Sequence, residues 1–341
     1  MLNTIYQLVA PRRIDLAVQD MPVAPDALVV RPTHLSICHA DQRYYQGMRD
    51  AKVLAEKLPM AMIHEAHGQV VFDGSGTYKA GDRVVMVPNL PVEERPFQAE
   101  NYIRSSRFRS STADGFMQEL VVTSADRAVA LPDGLDLDVA AFTELVSVST
   151  HTINRFDAIA HAGRDSIGVW GDGNVGFITA LLLRTRFPET KIYVFGKNSE
   201  KLADFTFVTA TYLITEIPDD LLVDHAFECV GGAGSGDAIE QIIAHIHPEG
   251  TVALMGVSEN NVPINTRMVL EKGLRLYGSS RSGVADFRST LDLYAQHPEV
   301  PAQLARIVGG VFDIRDTSDI ATAFADDRSR RFGKTVLHWL V

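Results

Sequence analysis

A glycine-rich turn near the middle of the chain constrains its fold more than any other feature. Residues 166–184, SIGVWGDGNVGFITALLLR, join an apolar run, a turn and an apolar segment that favours a helix. Gly171, Gly173 and Gly176 complete the pattern G-x-G-x-x-G. In this pattern the first glycine permits a tight turn, the second lets a pyrophosphate approach the backbone, and the third lets helix and strand pack closely. The same spacing also fits an ordinary turn, so its surroundings decide its meaning.

Strand-like and helical segments alternate from residue 166 to about residue 280. The strand-like runs are Ile167–Trp170, Lys191–Phe195, His225–Cys229, Thr251–Met255 and Arg275–Gly278. Such alternation predicts a parallel sheet covered by helices. The glycine pattern follows the first of these runs and opens a helix, whose unpaired N–H groups suit a phosphate. Together these observations predict a doubly wound Rossmann domain that binds a dinucleotide.

The remainder of the chain has a different pattern. Short β-like runs separated by Gly, Pro and Asp predict an irregular antiparallel region; these runs are Ala27–Arg31, Gln69–Phe72, Arg83–Pro88 and Phe116–Thr123, with a last strand at Lys334–Leu340. At 341 residues the chain exceeds the size at which one core usually keeps growing. We therefore predict an α/β protein with a mostly-β catalytic domain of residues 1–146 and 285–341 and a Rossmann domain of residues 147–284.

Composition excludes several classes of protein. The formal net charge of −11 argues against binding to nucleic acid or to a membrane surface. No apolar run approaches the ~20 residues needed to span a bilayer, and the N-terminus, MLNTIYQLVAPRR, lacks the long apolar region of a secretory signal. The two cysteines offer no disulfide framework. We expect a cytoplasmic protein.

Metal-ligating residue types occur at two places in the first half of the chain. Cys38 lies in LSICHAD, and His64 and Glu65 lie in PMAMIHEAHG. A thiolate, an imidazole and a carboxylate are ligand types that a catalytic zinc takes when it leaves one position open. Each residue also has a plain alternative, because a free cysteine is usually a small buried hydrophobe and the chain has 11 histidines.

Several motifs share their order and spacing with a known superfamily. They are Cys38-x-x-Asp41, His64-Glu65 followed by Gly68, Gly81-Asp82-Arg83-Val84, Glu144 in TELVS, the glycines of 171–176, and FECVGG at 227–232. In these motifs the chain resembles the zinc-dependent medium-chain alcohol and polyol dehydrogenases over nearly its whole length. The runs YQLVAP, DQRYY, FRSS, DGFMQ, YVFGK and GSSRSG are similar to those of the ribulose-5-phosphate reductases, or ribitol-5-phosphate 2-dehydrogenases, within that superfamily.

The resemblance implies a GroES-like catalytic domain with zinc ligands at Cys38, His64 and Glu144. It implies that Glu65 is a neighbouring carboxylate able to approach the metal, and that Asp41 orients the site. The alternative for Glu144 is a capping or surface glutamate at a helix start.

Two departures from the superfamily's pattern change what is expected. Residues 89–111 contain none of the four clustered cysteines that hold a structural zinc in some relatives, so we predict one zinc per chain. Ala40 stands where many relatives have the Ser or Thr that passes on the substrate's proton. Tyr44, His39, Glu65 or a metal-bound water are the candidates to replace that hydroxyl.

The end of the second Rossmann strand bears on the choice of cofactor. An NAD enzyme places Asp or Glu about 20 residues after the third glycine, where it accepts from the ribose 2′-OH. Here Gly196 and then Lys197 occupy that region, with Lys201 close behind. Cations there favour a 2′-phosphate, so we predict NADP(H), the alternative being that both lysines form a solvated face. The predicted cofactor contacts are Gly171, Gly173, Asn174, Val175, Gly176, Gly196, Lys197 and Lys201.

A phosphorylated substrate requires cations that a plain polyol does not. Arginine forks match phosphate oxygens, and the candidates for the phosphate or the pocket are Arg43, Arg104, Arg107, Arg109 and Arg281. The alternative for the 104–109 cluster is a solvated loop. Arg281 matches an arginine that lies near the active site in sorbitol-type relatives.

The resemblance implies zinc- and NADPH-dependent reduction of D-ribulose 5-phosphate to D-ribitol 5-phosphate. The product would feed CDP-ribitol synthesis for teichoic acid or capsule, in functional partnership with a cytidylyltransferase, and the enzyme would be a homodimer. One alternative is a dehydrogenase of an unphosphorylated polyol or another secondary alcohol. A second is a catalytically silent protein that binds a cofactor or a partner, which would require a broken set of metal ligands.

Overall fold

The computed structural model describes residues 1–329 and 332–341 and divides the chain into two compact units. The first unit comprises Met1–Ser147 with Ser282–Val341, and the second comprises Val148–Arg281. The sequence analysis placed the corresponding boundaries after residue 146 and before residue 285.

The first part of the chain forms short strands and a few helices of the first unit. In chain order the elements are β1 (Leu2–Ala10), β2 (Arg13–Asp20), β3 (Leu28–Ile37), α1 (His39–Tyr45), α2 (Ala51–Lys57), β4 (Met60–Ala61), β5 (Glu65–Asp73), β6 (Arg83–Met86), β7 (Asn89–Leu90), β8 (Arg107–Phe108), β9 (Val121–Thr123), β10 (Ala128–Ala130), α3 (Leu137–Ala140) and α4 (Thr143–Ile159). Helix α4 continues into the second unit.

The second unit alternates strands with helices, and the C-terminal segment returns to the first. The second unit contains β11 (Ser166–Trp170), α5 (Asn174–Arg186), β12 (Lys191–Gly196), α6 (Ser199–Leu202), β13 (Ala210–Leu213), β14 (Val223–Glu228), α7 (Ser235–Ala244), β15 (Ile246–Leu254), α8 (Thr266–Glu271) and β16 (Arg275–Gly278). The C-terminal segment contains α9 (Val284–Gln296), α10 (Glu299–Leu304), β17 (Val308–Ile314), α11 (Thr317–Ser329) and β18 (Lys334–Trp339).

The central sheet of the first unit has the order β10-β6-β5-β3-β18-β17, with β9 also paired to β3. Its neighbouring strands are antiparallel except for β17 and β18, which are parallel. The last strand of the chain therefore lies directly beside β3, which ends at Ile37, immediately before Cys38. One face of the sheet packs into a core that includes Leu35, Ile63, Phe116 and Leu337.

The sheet of the second unit has the order β13-β12-β11-β14-β15-β16, and every neighbouring pair is parallel. This is the 3-2-1-4-5-6 order of a doubly wound dinucleotide-binding fold, so the predicted fold class is confirmed. Strand β13 was missed because all four of its residues are only partly buried, as at a sheet edge, and so lack a strong apolar pattern.

The segment 89–111, which lacks cysteines, is held by an ion pair. Nη1 of Arg127 lies 2.9 Å from Oε1 of Glu100, and the Arg127 side chain is 7% exposed. The same Glu100 oxygen accepts from Val284 N at 3.0 Å and from Nδ2 of Asn89 at 3.4 Å. The partly exposed Glu100 carboxylate and the buried Arg127 guanidinium thus connect this segment to other parts of the first unit.

Among residues 1–329 and 332–341, no helix combines the length and the apolar character needed to cross a lipid bilayer.

Phe156 on α4 gives a test of the core of the second unit. Its fully buried ring lies 5.1 Å from that of Phe227 and 4.9 Å from that of His225, centroid to centroid. We expect Phe156→Ala to lower the free energy of unfolding by about 3–5 kcal/mol, because it removes buried area and leaves a cavity. Ile159 on the same helix is 40% exposed, so Ile159→Ala should cost no more than ~0.5 kcal/mol. Denaturant titration followed by circular dichroism measures both, and equal losses would contradict this packing.

Candidate active site

The Asp41 carboxylate organises the environment of Cys38. Cys38 follows β3 and precedes α1, and its backbone N–H donates to Oδ2 of Asp41 at 3.0 Å. The other carboxylate oxygen accepts from Ile63 N at 3.0 Å and from Ser110 Oγ at 2.8 Å. Asp41 is fully buried. One side chain therefore connects three segments that are distant in sequence, which supports the orienting role predicted for it.

His64 follows a residue with an unusual backbone conformation. Ile63 has φ 69°, a left-handed value that a β-branched residue rarely adopts. Such strain is maintained only where surrounding contacts determine the backbone, and the Asp41 bond to Ile63 N is one such contact. The imidazole of His64 then lies with Nδ1 3.8 Å from Oδ1 of Asp41.

The predicted metal ligands converge in the first unit. Ligand atoms of Cys38, His64 and Glu65 all lie within 4.8 Å of one another, and Nε2 of His64 is 3.9 Å from Oε2 of Glu144. Glu144 lies in the first turn of α4 and is buried rather than on the surface. A soft thiol, an imidazole and carboxylates at these separations form a donor set suited to zinc.

Electrostatics at this cluster also favour a cation. Desolvation raises the pKa of the Cys38 thiol, and it raises the pKa of Glu144 to about 7. Burial alone would lower the pKa of His64, but Asp41, Cys38 and Glu144 outweigh it and raise that pKa. Desolvation is the largest cause for Cys38 and Glu144, whereas the neighbouring acidic groups decide the direction for His64, and a bound divalent cation would offset the cost of burying these acidic groups together.

Lys334 is a residue of this site that the sequence analysis missed. Its Nζ lies 3.0 Å from Oε1 and 2.8 Å from Oε2 of Glu65, and it donates to the carbonyl of Ile37 at 2.8 Å. Both side chains are almost fully buried, at 2% and 0% exposure. Burial would lower the pKa of Lys334, but Glu65 reverses this and raises it. A lysine on the last strand gives no local signal of a role 269 residues away.

The residues after Cys38 carry two neighbouring guanidinium groups. Burial and the charge of Arg49 both lower the pKa of Arg43. The Arg49 guanidinium carbon is 4.9 Å from the ring centroid of Tyr44, which is 4% exposed. Arg49 was not among the predicted phosphate ligands, since no motif marks it.

The arginines of the 104–109 cluster differ in their surroundings. Arg109 is 8% exposed and donates to the carbonyls of Asp114 at 3.2 Å and Val122 at 3.0 Å. Arg107 donates to the carbonyl of Thr112 at 3.2 Å, and Arg104 is exposed. These carbonyl partners give the Arg109 guanidinium a structural role. The role of Arg109 in phosphate binding stays a prediction. Arg281, with φ 59°, belongs to the second unit.

The glycine pattern of the second unit forms the turn between β11 and α5. Gly171 has φ 133°, which favours glycine, and its N–H donates to the carbonyl of Phe195 at 2.8 Å. A Cβ at Gly176 would lie 1.9 Å from the carbonyl oxygen of Gly171, whereas a Cβ at Gly173 would meet no described atom within 4 Å. Asn174 is the first residue of α5 and Val175 the second. Of the three glycines of the pattern, Gly173 is therefore the one with open space beside it among the described residues, where the pattern requires space for a pyrophosphate.

Asp172 explains why glycine occupies position 196. Its Oδ2 accepts from the backbone N–H groups of Lys197 and Asn198, each at 2.8 Å. A Cβ at Gly196 would lie 2.7 Å from Cβ of Asp172. The carboxylate therefore fills the space that a side chain at 196 would need. Lys197 is exposed and Lys201 lies in the last turn of α6.

Comparison with known proteins identifies the family to which the chain belongs. Residues 24–133 match the family described as alcohol dehydrogenase GroES-like domain, and residues 191–296 match the family described as zinc-binding dehydrogenase. The chain is 56% identical to the ribulose-5-phosphate reductase of Bacillus spizizenii over 339 residues, covering 99% of each chain. It is 53% identical to ribulose-5-phosphate reductase 1 of Staphylococcus aureus, covering 100% of each.

A solved structure shows the same architecture. The crystal structure of S. aureus TarJ in complex with NADPH is 49% identical to the chain and matches with a TM-score of 0.90, covering 100% of both. The full-length identity and the two matched domains confirm the resemblance inferred from the motifs. The chain belongs to the zinc-binding dehydrogenases with a GroES-like domain and, among them, to the ribulose-5-phosphate reductase family.

Proposed function

We propose that this chain is a zinc- and NADPH-dependent enzyme that reduces D-ribulose 5-phosphate to D-ribitol 5-phosphate. The observation that carries the proposal is the buried cluster of Cys38, His64 and Glu65 in a chain 56% identical, end to end, to a ribulose-5-phosphate reductase. The complete donor set argues against a catalytically silent protein.

The residues of the first unit would hold the metal and keep its ligands in place. Cys38, His64 and Glu144 would bind zinc, with Glu65 adjacent. When bound, the metal supplies a Lewis acid for the ketone oxygen and NADPH supplies the hydride. The Asp41 carboxylate accepts from the backbone N–H groups of Cys38 and Ile63 and so holds the backbone at Cys38 and just before His64. Such outer contacts orient ligands and usually contribute 10–100-fold to metal affinity or activity.

Ala40 has no hydroxyl to pass on a proton, so another group must replace it. The contacts of two candidates, Glu65 and Tyr44, narrow the choice of that group. Glu65 forms a buried ion pair with the Lys334 ammonium group, which engages both of its carboxylate oxygens. Tyr44 is buried beside the Arg49 guanidinium. His39 is exposed next to Cys38 and keeps contact with solvent. We therefore propose that the proton consumed in the reduction comes from solvent and enters through the region of His39.

The phosphate of the substrate is assigned first to Arg43, with Arg49 as its neighbour. Both lie within about ten residues of Cys38 in sequence, and the two charges are close enough to lower the pKa of Arg43. A dianionic phosphate would relieve this repulsion and accept charge-assisted hydrogen bonds. Arg104, Arg107, Arg109 and Arg281 remain further candidates.

The second unit would bind NADP(H) at the turn after β11. The pyrophosphate would lie at Gly173 and the N-terminus of α5. Asp172 is committed to the backbone of Lys197 and Asn198, and Gly196 carries no acid to accept from a ribose 2′-OH. Lys197 and Lys201 then favour a 2′-phosphate, which supports NADP(H) over NAD(H).

The cellular setting is inferred from the family. We infer a cytoplasmic homodimer whose product is consumed by a cytidylyltransferase in CDP-ribitol synthesis for teichoic acid or capsule. The net charge of −11 agrees with a chain that binds neither nucleic acid nor membrane surfaces.

A steady-state assay tests the substrate and the cofactor together. With NADPH, we expect kcat/KM for D-ribulose 5-phosphate to exceed that for D-ribulose by at least ~100-fold, because charge-assisted hydrogen bonds to the phosphate are each worth about 1.5–3 kcal/mol. NADH in parallel should give a lower kcat/KM. Equal rates on the two sugars would contradict the phosphorylated substrate and favour a polyol dehydrogenase.

The two cysteines form a matched pair for testing the metal site. Cys229 is buried in the second unit, with Sγ 3.8 Å from Sδ of Met255. We expect Cys38→Ser to lose the tightly bound zinc and at least ~100-fold in kcat, because the removal of a ligand weakens the site more than the loss of an outer contact does. Cys229→Ser should keep zinc and activity. Elemental analysis and kinetics measure both, and full zinc content in Cys38→Ser would contradict the assignment.

Substitutions at two glycines of the turn distinguish an effect on cofactor binding from an effect on folding. Gly173→Ala should leave the melting temperature nearly unchanged, since the new methyl group meets no described atom within 4 Å, but it should weaken NADPH binding by at least ~10-fold. Gly176→Ala should destabilise the fold by about 1–3 kcal/mol, since its Cβ would lie 1.9 Å from the carbonyl oxygen of Gly171. Thermal unfolding and fluorescence titration with NADPH measure these effects. Unweakened NADPH binding by Gly173→Ala would contradict the assigned position of the pyrophosphate.

A further inference from the structure

A row of ionisable side chains crosses four adjacent strands of the first unit. Asp313 on β17, His338 on β18, His34 on β3 and His67 on β5 are register partners in turn. Asp138 of α3 approaches the middle of the row. None of these residues belongs to the Cys38 cluster, and the proposed reduction uses none of them.

Three of these residues direct their ligand atoms toward one another. Nε2 of His338 is 2.8 Å from Oδ1 of Asp138, and Nε2 of His34 is 3.9 Å from the same oxygen. The three ligand atoms all lie within 4.8 Å of one another. Their side chains are 16–31% exposed, so solvent reaches the group.

Hydrogen bonds behind His34 determine which of its nitrogens carries the hydrogen. Nε2 of His67 lies 3.0 Å from the carbonyl oxygen of Leu137 and must donate to it, so Nδ1 of the neutral ring accepts. The Thr33 hydroxyl, 3.4 Å from this Nδ1, donates its one hydrogen there. Nδ1 of His34, 3.2 Å from the same hydroxyl, must then donate. The Nε2 lone pair of His34 therefore points toward Asp138.

His338 is oriented in a similar way. Its Nδ1 lies 3.3 Å from Oδ1 of Asp313, a carboxylate that accepts. An imidazole whose second nitrogen is held by a carboxylate is the usual arrangement behind a metal ligand. Nε2 of His338 lies 2.8 Å from Oδ1 of Asp138, so without a metal ion it donates a hydrogen to that carboxylate, and a bound cation would take the place of this hydrogen. Nε2 of both histidines thus faces Asp138, and each ring is positioned from behind by a group of its own.

The charges around the group are consistent with neutral ligands for a cation. Burial, together with the neighbouring His338, lowers the pKa of His34 to about 4, so its ring is neutral at pH 7. Arg83 and Asp136 also act on His34, with opposite signs. The lone pair of His34 and the Asp138 carboxylate are both acceptors and face each other across 3.9 Å, an arrangement that a cation between them would stabilise.

Beyond the one zinc per chain that the sequence predicts, we propose that His34, Asp138 and His338 form a second metal site, which binds a divalent first-row transition cation such as Zn²⁺. Two imidazoles and one carboxylate suit such ions, whereas Mg²⁺ and Ca²⁺ prefer oxygen ligands alone. Two atoms bound 2.0–2.2 Å from one ion are at most about 4.4 Å apart, so ligand atoms that lie within 4.8 Å of one another are close to the separations that a bound ion requires. Water completes the coordination on the exposed side.

The site is separate from the Cys38 cluster and has a structural consequence. His34 precedes Cys38 by four residues, roughly 13 Å along an extended strand. A metal ion bound there would join β3, α3 and the last strand, β18. Its ligands would come from positions up to 304 residues apart. Because it would bind only the folded unit, it would stabilise that unit without entering the reaction.

Zinc binding to the full-length protein tests the proposal. Protein stripped with a chelator is dialysed against buffered Zn²⁺ and the metal is counted by elemental analysis. We expect two equivalents per chain, with the weaker one reduced at least ~10-fold in affinity by His34→Gln, His338→Gln or Asp138→Asn. His297→Gln is the matched control, because His297 is a surface histidine with Nδ1 3.0 Å from a carboxylate oxygen of Glu299.

The Cys38 variant separates this site from the catalytic one. In Cys38→Ser the weaker equivalent should remain, and in the three site variants reductase activity should remain. Circular dichroism spectra confirm that each variant is folded, and Asp138→Asn keeps the shape of the side chain. Saturation of the wild type at one equivalent, or two equivalents retained by folded His34→Gln and Asp138→Asn, would overturn the second site.

Discussion

The hydrogen bonds of one buried carboxylate, that of Asp41, are the constraint on which the candidate active site depends. They join the start of α1, the strained backbone at Ile63 and the segment at Ser110. The strain at Ile63 costs free energy, and the bond to its N–H is part of what maintains it. Without this carboxylate, the thiol of Cys38 and the imidazole of His64 would have no common point of attachment. The geometry of the metal ligands thus follows from a residue that need not touch the metal.

The second constraint is the balance of buried charge. Asp41, Glu65 and Glu144 are all at most 4% exposed, and Lys334 is the buried ammonium group that contacts one of them. Burying this many acidic groups is unfavourable unless cations compensate them. The lysine compensates Glu65, and a metal ion held by the remaining donors would compensate the others. The last strand of the chain is therefore tied to the active site by electrostatics as well as by its pairing with β3.

In the second unit the main constraint is the space that the backbone leaves open. Each of three glycines leaves space because it has no side chain. At Gly176 this lets α5 approach the strand, at Gly173 it leaves open space that suits a phosphate, and at Gly196 it leaves room for the Asp172 carboxylate. Asp172 in turn orders the backbone at Lys197. We infer that the choice between NAD and NADP depends on the space shared by the turn after β11 and the end of β12, as well as on the residue at the strand end.

The sequence by itself determined the fold class, the family and the main motifs, because each of these signals is local: a strand followed by G-x-G-x-x-G, or a cysteine three residues before an aspartate. It predicted Cys38, His64, Glu65 and Glu144 as a group of metal ligands only through resemblance, since nothing local joins position 38 to position 144. The tertiary structure alone decided that Lys334 pairs with Glu65, 269 residues away, that Arg109 donates to backbone carbonyls, and that His34, Asp138 and His338 meet. These contacts arise from strand order in the sheet, where β18 lies beside β3, and pairing between distant strands leaves no periodic trace in the sequence of either one.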